Sequence, residues 1–131
     1  MIALASYSRA GNSMLRGYLE KIMGLATGSD GNLNNKMVMD LYKDGFVGEG
    51  LTNNQVKIVK THYPEKRGTA ELPVDRAILL ARNPLDTITS LFNLICTGSH
   101  SHSIKDEDYI TLENLWNEFV LIEAQNWHWF H

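Results

Sequence analysis

The chain has a single cysteine, Cys96, so no internal disulfide can form and the redox compartment cannot be read. Cys96 sits in an apolar helical pattern and reads as a buried core thiol rather than a nucleophile. No stretch approaches the roughly 20 apolar residues that span a bilayer. No charged run precedes Ile2, so no signal peptide is expected. An excess of positive charge is also missing: the formal net charge is −3, which argues against broad nucleic-acid binding. Repeats and low-complexity tracts are absent. The charge that is present is uneven. Residues 1–102 sum to +2 and residues 103–131 to −5, so an anion site belongs in the first hundred residues. With 131 residues, 44% of them hydrophobic, the chain is expected to form one domain with a real core. It opens directly on an apolar run and stops at Phe130 and His131 inside a helical pattern, which reads as a fragment of a longer protein.

Ile2-Ala3-Leu4-Ala5 is a short apolar strand. A small, polar loop follows, Ser6-Tyr7-Ser8-Arg9-Ala10-Gly11-Asn12-Ser13. Leu15, Tyr18, Leu19 and Ile22 then recur at helical spacing, and Gly24 can end that helix. Such a loop leaves backbone N–H groups unpaired at a helix N-terminus. Together with a guanidinium they suit a phosphate or sulfate. They suit an ordinary strand-to-helix connection equally well.

Residues 25–54 read as irregular. Residues 27–35 are turn-forming, 38–42 suggest a short helical turn, and 44–50 are Gly-rich. Val56 to Thr61 reads as a second strand, stopped by Pro64, with Lys60, Thr61 and His62 at its carboxyl end, where ligands collect in open α/β sheets. Residues 65–73 are a charged connection. Ala77-Ile78-Leu79-Leu80-Ala81 reads as a third strand, parallel, central and buried on both faces. Arg82 follows, then Asn83 and Pro84 as helix cap and first turn. Leu85, Ile88, Leu91, Phe92 and Ile95 give a helix facing the sheet, with Ser90 on another stripe. Residues 97–108 read as a polar loop. Its His100 and His102, with His128 and His131, invite a zinc site, but no second Cys and no His-Glu pair at helical i, i+4 spacing supports one. Residues 112–130 read as an amphipathic helix with Leu112, Leu115, Trp116, Phe119, Val120, Ala124 and Trp127 on one side.

Three of these motifs, in order, resemble those of sulfotransferases that use 3′-phosphoadenosine 5′-phosphosulfate (PAPS). Ser6 through Arg16 resembles the 5′-phosphosulfate loop. Lys60-Thr61-His62-Tyr63-Pro64 is similar to the catalytic strand end of the cytosolic members. Arg82-Asn83-Pro84-Leu85-Asp86 with Ser90 is similar to the 3′-phosphate motif. With Tyr42 to Glu49 and Ser101-His102, the pattern most resembles the WSC-domain-containing sulfotransferases and their relatives.

The resemblance implies an α/β, P-loop-like three-layer fold with a parallel sheet between helices, C-terminally incomplete. It implies sulfuryl transfer from PAPS, without a metal, to a hydroxyl or amine acceptor such as a glycan. The backbone amides of Ala10, Gly11, Asn12, Ser13 and Met14, and the side chains of Asn12 and Ser13, would hold the 5′-phosphate. Arg82 and Ser90 would hold the 3′-phosphate. Lys60 would face the bridging oxygen or sulfuryl group, and His62 would be the general base, with Glu49 in reserve. Arg9 stands where the cytosolic enzymes have Lys, and a planar fork is not a compact ammonium. The family's later strand and its Arg-Lys-Gly-type segment have no counterpart. A non-catalytic binding domain of this fold is the alternative. A P-loop kinase is disfavoured, since no Gly-Lys-Ser/Thr closes the first loop. Location stays open between Golgi lumen and cytoplasm.

Overall fold

The computed structural model describes residues 1–62 and 72–131. Tyr63, Pro64 and the charged connection as far as Glu71 lie outside the described residues. The elements run β1 (Ile2–Ser6), α1 (Asn12–Met23), β2 (Gly28–Ser29), α2 (Lys36–Lys43), β3 (Ile58–Thr61), β4 (Arg76–Leu80), α3 (Pro84–Thr97), α4 (Asp106–Thr111) and α5 (Glu113–Phe130). The protein is thus α/β. Two compact units emerge: Met1–Ser6 with Gly11–Leu80, and Tyr7–Ala10 with Ala81–His131.

The first unit is built on a parallel four-stranded sheet of order β2-β3-β1-β4. β1 pairs with β3 from Ile2↔Ile58 to Ala5↔Thr61, and with β4 from Ile2↔Arg76 to Ser6↔Leu80. Leu4 and Val59 are fully buried, and Ala3, Val38, Val56 and Ile58 join them in the core. Gly24 ends α1 in the left-handed conformation, its N–H donating to Glu20 O at 2.8 Å, as its position implies.

Two expectations fail in this unit, and the burial of α1 departs from its periodicity. The run from Ala77 is not buried on both faces. Among the described residues β4 pairs with β1 alone, so it is a sheet edge, and Ile78 and Leu79 are 43% and 54% exposed. A continuous apolar run signals a parallel strand, but double burial also needs neighbours to cover it. The apolar stripe of α1 is not its buried stripe. Ile22 is 81% exposed, and the fully enclosed positions are Asn12 and Arg16, one turn apart. The segment read as irregular contains β2, whereas the helical turn suggested over 38–42 is present as the two-turn α2. β2 is only Gly-Ser, paired as Gly28↔Val59 and Ser29↔Lys60, and it carries no apolar alternation to announce it. A Cβ on Gly28 would lie 2.1 Å from the Leu51 carbonyl oxygen, and one on Gly48 2.2 Å from that of Thr27, so these passes exclude any side chain.

In the second unit α3 starts as its sequence implies. The Asn83 side chain accepts from the Leu85 N–H at 2.9 Å, Pro84 fills the first turn, and Gly98 ends the helix. Its buried stripe is Thr87, Ile88 and Phe92, while Leu85 is 75% exposed and Ile95 is exposed too. The aromatic cluster explains the choice: Phe92 lies 4.9 Å from Trp116, 5.2 Å from Phe119 and 5.7 Å from Tyr109, centroid to centroid. Cys96, one turn beyond Phe92, is exposed, contrary to the buried thiol expected. α4 appears within residues read partly as loop. Asp106, Glu107 and Asp108 fill its first turn, where the helix dipole favours negative charge. On α5, Trp116, Phe119, Val120 and Trp127 are half-buried, whereas Leu115 and Ala124 are exposed. No helix among the described residues is long and apolar enough to cross a membrane.

Candidate functional site

The loop after β1 turns through Arg9, whose φ of 66° makes it the non-glycine residue of positive φ among the described residues. An L-residue there costs roughly 1–2 kcal/mol. The conformation is held by neighbours in the second unit. Arg82 Nη1 donates to the Arg9 carbonyl oxygen at 3.2 Å, and the Ala10 N–H donates to Tyr7 O at 3.3 Å. The Ala10 amide is therefore committed inside the turn. Tyr7 anchors the loop: its ring is fully buried, edge-on to Phe130, and its hydroxyl donates to Glu123.

Arg9, Arg82, Ser90 and His100 line one cavity of about 340 Å³ in this unit, together with Asp86, His102 and small polar residues. Arg9 Nε donates to Ser90 Oγ at 2.8 Å. Its Nη1 lies 2.8 Å from His100 Nδ1, and its Nη2 donates to the His100 carbonyl at 3.3 Å. A guanidinium only donates, so His100 Nδ1 must accept, which fixes a neutral ring protonated on Nε2. Burial, and secondarily the like charge of Arg82, lower the Arg9 pKa from its ordinary value. Asp86 approaches Arg82 Nε at 3.9 Å with both side chains about half exposed, too long and too wet to neutralise the pair. Two guanidinia and one distant carboxylate leave this cavity electropositive and suited to an anion.

In the first unit, α1 begins at Asn12 behind Gly11, which has φ 97° and no side-chain cap. By helix geometry the first-turn N–H groups of Asn12, Ser13 and Met14 have no acceptor within α1, so backbone N–H groups are what this terminus offers an anion. The Asn12 side chain points elsewhere. Its Nδ2 donates to Leu4 O at 3.0 Å and Ser6 Oγ at 2.9 Å, so both amide hydrogens are committed to β1. Expected as a side-chain ligand of phosphate, Asn12 instead ties the helix start to the strand. Ser6 carries the connection on: His62 Nδ1 lies 2.7 Å from Ser6 O and 3.4 Å from Ser6 Oγ. The carbonyl can only accept, so Nδ1 carries the proton and the lone pair of the neutral ring is on Nε2. Lys60 is half-buried on β3 opposite Leu4, two residues from His62 and so on the same side of the strand by its pleat.

The structure thus brings Arg9, Arg82 and Ser90 to one cavity in the second unit, and Asn12, Ser6 and His62 to one hydrogen-bonded chain in the first. Sequence reasoning missed two features. His100, weighed only as a zinc ligand, is the partner of Arg9; its place in a small polar loop just past Gly98 was the available signal. Among the described residues no group of three His, Cys, Asp or Glu is placed to hold a metal. The second feature is a buried ion pair. Arg16, fully enclosed, donates through Nη1 to Glu49, through Nε to Thr27 Oγ1 at 2.7 Å and through Nη2 to Thr27 O at 3.1 Å. Its guanidinium stacks 4.7 Å over the Phe46 ring. The second Glu49 oxygen accepts from Ser29. Both carboxylate oxygens are engaged, which removes Glu49 as the reserve base.

The chain is similar to WSCD family members. Those of Drosophila pseudoobscura and Drosophila melanogaster are each 33% identical to it over 97% of its length, and that of Aedes aegypti is 34% identical over 98%. It spans 38% of the length of each of these curated WSCD relatives. No protein-family model matches the chain, and no solved structure does.

Proposed function

We propose that this chain is part of a WSCD family protein and forms the nucleotide-binding portion of a PAPS-dependent sulfotransferase, with a P-loop-like three-layer fold. The observation that carries the reading is the shared cavity of Arg9, Arg82 and Ser90. Arg9 lies there with Arg82 and Ser90, more than seventy residues on in the chain, which makes two cations and a hydroxyl with little negative charge. The sequence resemblance and the WSCD relatives support the same reading.

Arg82 and Ser90 hold the 3′-phosphate. The first-turn amides of Asn12, Ser13 and Met14, with the Gly11 turn before them, hold the 5′-phosphate. Sulfuryl transfer is an in-line displacement. The acceptor oxygen attacks sulfur as the bond from sulfur to the bridging oxygen breaks, and charge develops on the departing 5′-phosphate. Lys60 stabilises that charge. His62 takes the acceptor proton on Nε2, a role its Nδ1–H bond to Ser6 O prepares by fixing the tautomer. The acceptor is a hydroxyl or amine, with a glycan as the leading class.

The test is a calorimetric titration of the 131-residue chain with the product nucleotide, 3′-phosphoadenosine 5′-phosphate. Saturable 1:1 binding that Arg82→Ala weakens at least tenfold is expected. No heat of binding at millimolar nucleotide, or binding indifferent to Arg82, would sink the proposal.

A further inference from the structure

By the sequence resemblance Arg9 stands where the cytosolic enzymes have Lys, a position implied to contact the bridging oxygen. Its side chain is turned toward α3 and the loop after it. Its Nε donates to Ser90, on the helix that follows Arg82, and its two terminal nitrogens reach His100. We infer that Arg9 is a ligand of the same phosphate as Arg82 and Ser90, and that His100 stands in the anion's place until the anion displaces it. The inference rests on the reading of this cavity as a nucleotide-phosphate site.

Four observations carry it. Arg9 and Arg82 are interlocked, with Arg82 Nη1 on the Arg9 carbonyl, so the two guanidinia are presented together. Ser90 Oγ accepts from Arg9, which leaves its own O–H as a donor and makes three side chains that can donate to one anion. The other charged or titratable groups lining the cavity are Asp86, His100 and His102, and Asp86 is the acidic one. Finally, the Arg9–His100 contact joins a permanent cation to a neutral, exposed imidazole and the carbonyl behind it. That is a weaker partnership than a bidentate bond between guanidinium and phosphate, so an entering dianion wins the exchange. A phosphate monoester, with its two charges, fits two guanidinia better than a singly charged sulfate ester does.

Two probes separate the possibilities: 3′-phosphoadenosine 5′-phosphate and 5′-AMP, which lacks the 3′-phosphate. Arg9→Ala should weaken the first by about tenfold to a hundredfold, the loss of a charged hydrogen-bond donor. The preference for the first over 5′-AMP should fall with it. Arg9→Lys keeps the charge but not the fork, and should recover only part of the loss. His100→Ala should tighten the bisphosphate a few-fold, because the imidazole no longer competes for Arg9 Nη1. An Arg9→Ala variant that keeps the full preference, or that loses both nucleotides equally, overturns the assignment, and weaker binding in His100→Ala overturns the displacement. A wild-type chain that binds neither nucleotide instead removes the reading of the cavity on which the inference stands.

Discussion

The ion pair of Arg16 and Glu49 offers the sharpest quantitative test of how this fold is held. Both side chains are out of water, and each bonds to several partners in the first unit. Breaking a buried pair from one side strands the other charge, which typically costs about 3–5 kcal/mol. Glu49→Gln keeps shape and an acceptor for Arg16 and should fall near the lower figure. Arg16→Met removes the donor to Glu49, Thr27 Oγ1 and Thr27 O together and should reach the upper one. For a domain with roughly 5–15 kcal/mol in total, either loss is a large share. At about 3–5 °C per kcal/mol for a chain of this size, Tm should drop by about 10–20 °C. Combining Arg16→Met with Glu49→Leu should cost less than the two single losses added, since no charge is left uncompensated. It should not restore wild-type stability, because the Thr27 carbonyl then loses the Arg16 donor and the Ser29 hydroxyl the Glu49 acceptor, at about 1–3 kcal/mol for each group left without that bond. Thermal unfolding followed by circular dichroism measures all of this. Glu49→Gln within about 2 °C of wild type, or strictly additive single losses, would refute the argument that an enclosed, mutually dependent pair pins α1 to β2.

Three further outcomes are expected. Phe92→Ala should destabilise the second unit by about 3–5 kcal/mol in urea unfolding, because the ring is buried against Tyr109, Trp116 and Phe119; a loss under 1 kcal/mol would contradict the packing described. Gly48→Ala should cost about 1–3 kcal/mol by pushing on the Thr27 carbonyl, whereas Gly45→Ala, with nothing within 4 Å of its new Cβ, should show only the strain of its positive φ. On the proposed reading, His62→Gln should lower kcat in a sulfuryl-transfer assay by about 10²–10⁴, as loss of a general base does; an unchanged rate would place the base elsewhere.

What the residues announced, and what they hid, follows from physics. β1 and β3 are short apolar runs, and β4 is one as well, so strand formation was visible in each. Gly24, Gly98 and the Asn83-Pro84 pair mark helix ends by backbone preferences that depend on no distant contact. The buried face of α1 was not visible. Periodicity picks out Tyr18 and Ile22, yet what is enclosed is Asn12 and Arg16, whose burial depends on Glu49, Thr27 and β1. β2 is two residues of Gly-Ser and exists only because β3 offers it a partner. In the candidate site, the spacing of Arg82 and Ser90 was legible because one helix carries the register between them. The orientation of the Arg9 fork was not, because a left-handed residue aims its side chain by contacts made long after it in the chain.

The exposed flank of β4 has a practical consequence. Among the described residues no strand pairs with one side of β4, and hydrophobic side chains in water beside such a row of main-chain amides and carbonyls are a template for another strand. Kept by itself in concentrated solution, the 131-residue chain should therefore stick to copies of itself, reversibly at first. Light scattering that grows with concentration, and that Leu79→Lys suppresses, would be the mark of that open edge.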